Sequence, residues 1–454
     1  MSRITTTAYA IGFVVMGYTT GLKALDSNGR VQIGMQNATV DYSNKNQNQG
    51  TSNDSAKVMA RIQFDVTGIT KSDYLTIDIR DDYDFQGKIN IDEASLEPEN
   101  QVRLREAAYH RPPRPRRIFF SAGRFPAPYS GIIATDGARI GYSSSKNLRL
   151  GALAGAVPSE LANPVYVTPD TSREQETNVT SAFIIYERPK SAKGRITGLY
   201  TSNALTTAPT SHLVDSSSRT FYYHSGLLHL GLRHQIRTLL HFDLDPENRT
   251  RYYKTSYTYF SKNFRASLAT DGVDNSDYYL RKDSSTDSLE PSGVINYYLT
   301  LRQALGRKYF LNAKVLQGSR VEDNLVRSDY SVSMGMRMLR GRFIGIATYG
   351  TKEEFIRKGP YTKLSLRYYA NSYNLNISHH QQERKYDSGS EASAQMMAAD
   401  VGFFINRKLR GIGGVTYIKG EEVSIMNYLV MIGYRFGESS TAPVKNRASL
   451  FERL

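Results

Sequence analysis

Apolar and polar positions alternate with a period of two along nearly the whole chain, and the stretch "NYYLTLRQALGRKYFLNAKVLQ" (296–317) is representative. Tyr297, Leu299 and Leu301 alternate with Asn296, Tyr298, Thr300 and Arg302. After the turn "ALGRK", Tyr309, Leu311, Ala313 and Val315 alternate with Asn312 and Lys314. Successive side chains of a strand point to opposite faces, so the pattern predicts a hairpin with one apolar and one polar face. The same alternation sets Ile62, Phe64 and Val66 against Arg61, Gln63 and Asp65. It sets Leu75, Ile77 and Ile79 against Thr76, Asp78 and Arg80, and Ile236, Leu240 and Phe242 against Arg237, His241 and Asp243. Near the C-terminal end it sets Leu364, Leu366 and Tyr368 against Lys363, Ser365 and Arg367.

A soluble β-sandwich also alternates. Here, however, the polar face carries ionised Arg, Lys and Asp in mid-strand, and the strands run to about ten residues, the length that crosses a bilayer at a tilt. No helical stripe or second sheet pattern is available to cover so many apolar faces. Lipid covers them if the sheet closes on itself and leaves no unpaired edge. The expected fold is therefore an all-β, antiparallel, up-and-down transmembrane barrel of about 22 strands (range 18–22).

The connections agree with this. Ten short ones ("GITKSD", "PPRPRR", "SSKN", "RPKSAKG", "GLRHQ", "SKN", "LGRK", "RGR", "NSYN" and "NRKLRG") alternate with longer polar ones at 44–56, 86–100, 157–176, 207–218, 272–290 and 384–393. Outer-membrane barrels place short turns in the periplasm and long loops outside. Of the long loops, 86–100 and 157–176 are the candidates for folding inward and narrowing a pore.

Composition sharpens this picture. The net charge of +15 would raise nucleic acid as a partner. The cations instead sit in the short turns (Arg114, Arg116 and Arg117; Lys190, Lys193 and Arg195; Arg307 and Lys308; Arg340 and Arg342; Arg407, Lys408 and Arg410), while acids favour the long loops, as in "DEASLEPE", "DNSD" and "GEE". The charge is a ring at one barrel end rather than a nucleic-acid groove, and nucleic acid is excluded. Such a ring invites contact with anionic lipid heads. Tyr is abundant at 32 residues and Trp absent, so interfacial girdles must be built from Tyr. Cys is absent, which removes disulfides, thiolate nucleophiles and cysteine metal sites.

Little else points to chemistry. His224, His229 and His234 are spaced by five and alternate faces, and the adjacent His379 and His380 point apart, so none converge on a metal. No phosphate-binding glycine loop, nucleophile elbow or zinc-protease motif occurs, and no Ser/His/acid set assembles from spacing alone. The expectation is a non-enzyme without cofactor or metal. At the N-terminus Arg3 precedes "AYAIGFVVMGY", the pattern of an export signal, with cleavage placed after Ala24 or Gly21. The domains are then a signal peptide at 1–24, a barrel at 25–436 and a polar tail at 437–454. That layout places no plug domain before the first strand, so an energised transporter is not expected.

Two stretches carry a family likeness. In "MNYLVMIGYRFG", Tyr428, Val430, Ile432, Tyr434 and Phe436 share one face and end in an aromatic. This resembles the C-terminal signal by which the barrel-assembly machinery recognises Gram-negative outer-membrane proteins. The series "VRLREAAYHRP", "FFSAGRFPAPYSG" and "TDGARIGY" (102–142) is similar to the segment of large porin-type channels that joins an "LREAY" strand, a "GR" strand and a Pro-containing loop. The likeness implies a porin-type barrel in contact with outer-membrane lipid and lipopolysaccharide, without fixing a subfamily or oligomeric state. The expected function is passive diffusion of small hydrophilic solutes with a mild anion preference; the alternative is a non-conducting scaffold or adhesion barrel serving a partner protein. Alternation assigns Arg61, Arg103, Arg105, Arg237, Lys254, Arg265, Arg302, Lys314, Arg337, Lys363, Arg367 and Arg435 to the pore wall. The acids it assigns inward are fewer: Asp65, Asp78, Asp243, Asp271 and Asp400.

Overall fold

The structure is a computed structural model that describes residues 26–43, 50–67, 72–84, 101–156, 178–188, 196–209, 218–244, 250–273, 293–321, 325–354, 357–386, 389–406, 408–420 and 423–436. The segments read as signal peptide (1–24) and tail (437–454), and the two loops expected to fold inward (86–100 and 157–176), lie outside these residues.

The described residues form 22 antiparallel strands in one sheet. In chain order these are β1 (Asp26–Ser43), β2 (Gly50–Thr67), β3 (Tyr74–Asp84), β4 (Gln101–Arg111), β5 (Arg117–Ala127), β6 (Ile132–Ser143), β7 (Leu148–Ala156) and β8 (Asn178–Arg188). They continue with β9 (Ile196–Pro209), β10 (Ser218–Leu230), β11 (His234–Asp243), β12 (Thr250–Phe260), β13 (Phe264–Val273), β14 (Val294–Leu305) and β15 (Tyr309–Arg320). The last seven are β16 (Val326–Met338), β17 (Phe343–Glu354), β18 (Arg357–Tyr369), β19 (Tyr373–Tyr386), β20 (Glu391–Phe404), β21 (Leu409–Lys419) and β22 (Val423–Phe436). Each strand pairs with its successor, and β1 pairs with β22 from Gly29↔Phe436 to Tyr42↔Val423, which closes the sheet. Closure leaves no edge strand, and every strand has a hydrogen-bonded neighbour on both sides, as a span through lipid requires.

All ten short turns read from the sequence join the strands expected. Their chemistry is local. Ser145 and Ser261 Oγ accept from the N–H of Leu148 and Phe264 (both 3.1 Å), and Asn406 Oδ1 accepts from Leu409 N–H at 2.7 Å. Side-chain acceptors of this kind turn the chain without help from the core. At the other end several strands run longer than expected. β1 and β2 have 18 residues each, so the expected loop 44–56 shrinks to 44–49, and the one at 384–393 shrinks to 387–390. Beyond the bilayer both faces of a strand meet water, so alternation in hydropathy stops while the hydrogen-bond ladder continues.

The faces separate sharply. Outward lie Val332 (60 % exposed), Tyr349 (61 %), Leu268, Leu364, Met397 and, on β22, Tyr428, Val430, Ile432 and Tyr434. Such exposed apolar area has one stable environment, the hydrocarbon of a bilayer. The outer face of β9–β11 departs from the rule with Asn203, Tyr222, His224 and Thr238. These groups satisfy one another: Tyr222 Oη donates to Asn203 Oδ1 at 2.7 Å, and His224 Nε2 lies 2.8 Å from Thr238 Oγ1.

This division gives a direct test. Val332→Arg puts a cation on the lipid face and should cost about 2–4 kcal/mol, whereas Thr300→Arg, on the opposite face, should cost little. Urea unfolding in lipid vesicles measures both, and equal costs would mean that the faces are misassigned.

Candidate functional site: the inner wall

Register fixes which side chains share the inner face. Arg61 stands beside Asp78 across β2–β3 and makes two bonds to it, at 2.8 and 2.6 Å. Lys314 bonds Asp329 at 2.7 Å across β15–β16, and Arg251 bonds Asp243 at 2.6 Å. Arg149 pairs with Glu187, and Glu354 with both Lys352 and Arg357. The inner face therefore holds more acids than alternation assigned, with Glu106, Glu187, Asp329 and Glu354 added.

Register sets Arg237, Lys254, Arg265, Arg302, Arg337, Lys363, Arg367 and Arg435 on this face as well. Arg265 and Arg302 are direct cross-strand partners on β13 and β14. Lys254 stands opposite Asp271. Lys363 lies between Thr348 and His380, and Arg367 between Ile344 and Asn376. Arg435 faces Arg30, and Arg237 faces Ser256. Arg103 pairs with Arg80 in the register, while a shift between Asp78 and Ile79 leaves Arg105 as an extra residue beside Glu106. Like charges placed directly opposite repel, and aromatic rings support them here. Arg265 sits 5.1 Å from the Phe260 ring centre, and Arg302 and Arg337 flank the buried Phe310 at 4.7 and 5.3 Å. Phe310 lies across Gly335, where a Cβ would collide with its ring. Arg265, Arg302 and Arg337 make no ion pair among the described residues.

One short connection reaches inside, and it was not among the loops expected to do so. Between β5 and β6 a single 3-10 turn, Pro128–Ser130, packs on the inner face of β8, β9 and β10. Ser202 Oγ donates to the Tyr129 carbonyl at 3.1 Å, and Thr206 Oγ1 to the Ser130 carbonyl at 2.9 Å. Tyr129 and Ile132 join Phe119, Leu153, Phe183 and Phe221 in a buried apolar cluster on the lumen side. Arg139 holds the segment from below: Nη1 donates to Tyr129 Oη (2.9 Å), Nη2 to Ser121 Oγ (2.6 Å), and the guanidinium lies 5.4–5.8 Å from the ring centres of Phe119, Phe125 and Tyr129. Prolines and Gly131 (φ +75°) signal the turn in the sequence, but not its direction. The direction depends on small inner residues (Ser202, Ala204, Thr206) on strands far along the chain.

The same wall assembles a set that spacing concealed. His110 Nδ1 lies 2.8 Å from Ser121 Oγ, and His110 Nε2 lies 3.1 Å from Glu106 Oε1. Its three members come from two strands. Ser121 is 1 % exposed and already accepts from Arg139, so no substrate reaches the hydroxyl. What the chain of bonds does is position Arg139 under Tyr129. Among the described residues no group of His, Asp and Glu could hold a metal ion.

No family model matches the chain, and no curated protein matches it. Solved structures similar to it include OpdQ of Pseudomonas aeruginosa, at 9 % identity, covering 90 % of this chain and 97 % of that one with a TM-score of 0.43. A BenF-like porin from Pseudomonas fluorescens Pf-5 has 9 % identity, 90 % and 99 % coverage and a TM-score of 0.44. OccAB4 of Acinetobacter baumannii has 8 % identity, 90 % and 98 % coverage and a TM-score of 0.42. Likeness at this level carries no weight beside the strand register itself.

Proposed function

We propose that this barrel is a passive channel of the bacterial outer membrane for small hydrophilic solutes, with a mild preference for anions. The observation that carries the reading is the division of one closed sheet into an apolar outside and a charged inside. A barrel built only as a scaffold has no need of a polar interior, whereas a water-filled lumen does. The anion preference rests on Arg265, Arg302 and Arg337, which pair with no acid among the described residues. Such a wall lowers the cost of bringing an anion in before any specific contact forms.

Planar-bilayer recording in a salt gradient tests this. The expected result is conductance with a reversal potential on the anion side that weakens in Arg103→Ala/Arg105→Ala and Lys363→Ala/Arg367→Ala variants. Cation preference would refute the selectivity. Absence of conductance would leave the scaffold reading, in which a partner protein should co-purify.

In this proposal the short turns face the periplasm, and the outward aromatic face of β22 that ends at Phe436 serves as the insertion signal for the barrel-assembly machinery. The chain has no Cys, so single cysteines report orientation cleanly. Val321→Cys, between β15 and β16, should label on intact cells, and Lys262→Cys, between β12 and β13, only after permeabilisation. The reverse pattern would invert the barrel.

A further inference from the structure

We infer that the short-turn end of the barrel is a docking surface for anionic glycerophospholipid headgroups, with cations contacting phosphate and apolar turn tips entering the acyl boundary. The inference rests on the outer-membrane reading above but not on conduction.

Two independent observations support it. The first is charge. Every cation of the described short turns is exposed, Arg116, Lys146, Arg233, Lys262, Arg307 and Arg340 among them. The one acid in those turns, Asp73, is 1 % exposed and is bonded by Tyr109 and Arg111. Seven of the ten short turns therefore offer exposed positive charge, with no exposed acid among the described turn residues. Arg116 (φ +58°) and Arg340 (φ +57°) occupy left-handed positions that Gly or Asn would fill at less cost, so charge is kept at the tips against backbone preference.

The second observation selects lipid over a soluble acidic polymer. The three most exposed large apolar side chains among the described residues are Leu232 (68 %), Leu339 (67 %) and Ile405 (64 %), and all three lie in these cationic turns. Facing water they are unfavourable. Beside a headgroup layer the arrangement is that of an interfacial anchor, with apolar tips in the acyl boundary and Lys or Arg at phosphate. The turns are also tied laterally, since Arg337 N–H donates to the Lys308 carbonyl at 2.6 Å, so cations of adjacent turns meet the surface together.

The test is native mass spectrometry of the intact barrel released from mixed micelles of equimolar phosphatidylglycerol and phosphatidylcholine. Phosphatidylglycerol should be retained preferentially, and less so as salt rises. One interfacial cation is worth about five-fold in binding, so Arg307→Gln/Lys308→Gln/Arg340→Gln/Arg342→Gln should lower the preference at least about ten-fold. Leu232→Ser/Leu339→Ser/Ile405→Ser should reduce retention of both lipids while leaving binding of soluble polyglutamate unchanged. Equal retention of the two lipids by the wild-type barrel, or a preference insensitive to salt, overturns the inference without any variant. Polyglutamate binding as strong as lipid retention, with no effect of the serine variant, would replace lipid by a soluble acidic polymer. Conductance of the same preparations separates the two claims: lipid preference without conductance sinks only the channel, and conductance without lipid preference sinks only this surface.

Discussion

Arg139→Ala should free the Pro128–Ser130 segment from the barrel wall and raise both the conductance and the current noise of the channel. Arg139 makes hydrogen bonds to Tyr129 and Ser121 and lies over three rings. Charge-assisted hydrogen bonds contribute about 1.5–3 kcal/mol and a cation over a ring about 0.5–2 kcal/mol. Because these effects share one side chain and are not additive, the expected loss is about 2–4 kcal/mol. Ser202→Ala removes one neutral bond to the Tyr129 carbonyl and should cost about 1 kcal/mol. The temperature at which the folded barrel band disappears in detergent gels should therefore fall in the order wild type, Ser202→Ala, Arg139→Ala. If single-channel noise is the same in all three, the segment does not border the conducting path.

Replacing Arg265, Arg302 and Arg337 together by Gln should move the reversal potential toward the cation side. A charge about 4 Å from a passing ion is worth about 1 kcal/mol in water. Three such charges, partly screened by salt, make a change of about ten-fold in the permeability ratio a reasonable target. The control is Lys314→Gln/Asp329→Asn, which removes a matched pair bonded at 2.7 Å and leaves the wall charge unchanged. An equal shift in the control would mean that pore shape, not charge, sets selectivity. No shift in the triple variant would place the narrowest point elsewhere, outside the reach of these three side chains.

The strands, their number and the ten short turns could be read directly from the chain, because each depends on local physics. Period-two alternation identifies a strand wherever one face meets hydrocarbon and the other water, as in Leu299–Arg302 or Val430–Arg435. Ser, Asn and Gly at turn positions bend the backbone through bonds to their own neighbours. The inward side of Arg61, Arg265, Arg302 and Lys363 follows from the same parity. β2 begins at Gly50, inside the expected loop 44–56, because its hydrogen-bond ladder to β1 continues where alternation in hydropathy has stopped.

Only the closed sheet decided the rest. Phe310 becomes a platform for Arg302 and Arg337 because Gly335, on the next strand, leaves room for its ring. Asp78 becomes the partner of Arg61, and Asp329 that of Lys314, through register, and a slip of one residue would have turned each pair apart. The Pro128–Ser130 turn goes inward because Ser202 and Thr206 wait on β9, more than seventy residues along the chain. The sequence by itself determined the facing of most strand residues, since that choice depends on each residue and its near neighbours; register shifts such as that beside Arg105 had to be fixed by the sheet. Which charges meet, and which segment packs on the inner wall, was decided by tertiary structure, because those depend on partners brought together only when the barrel closes.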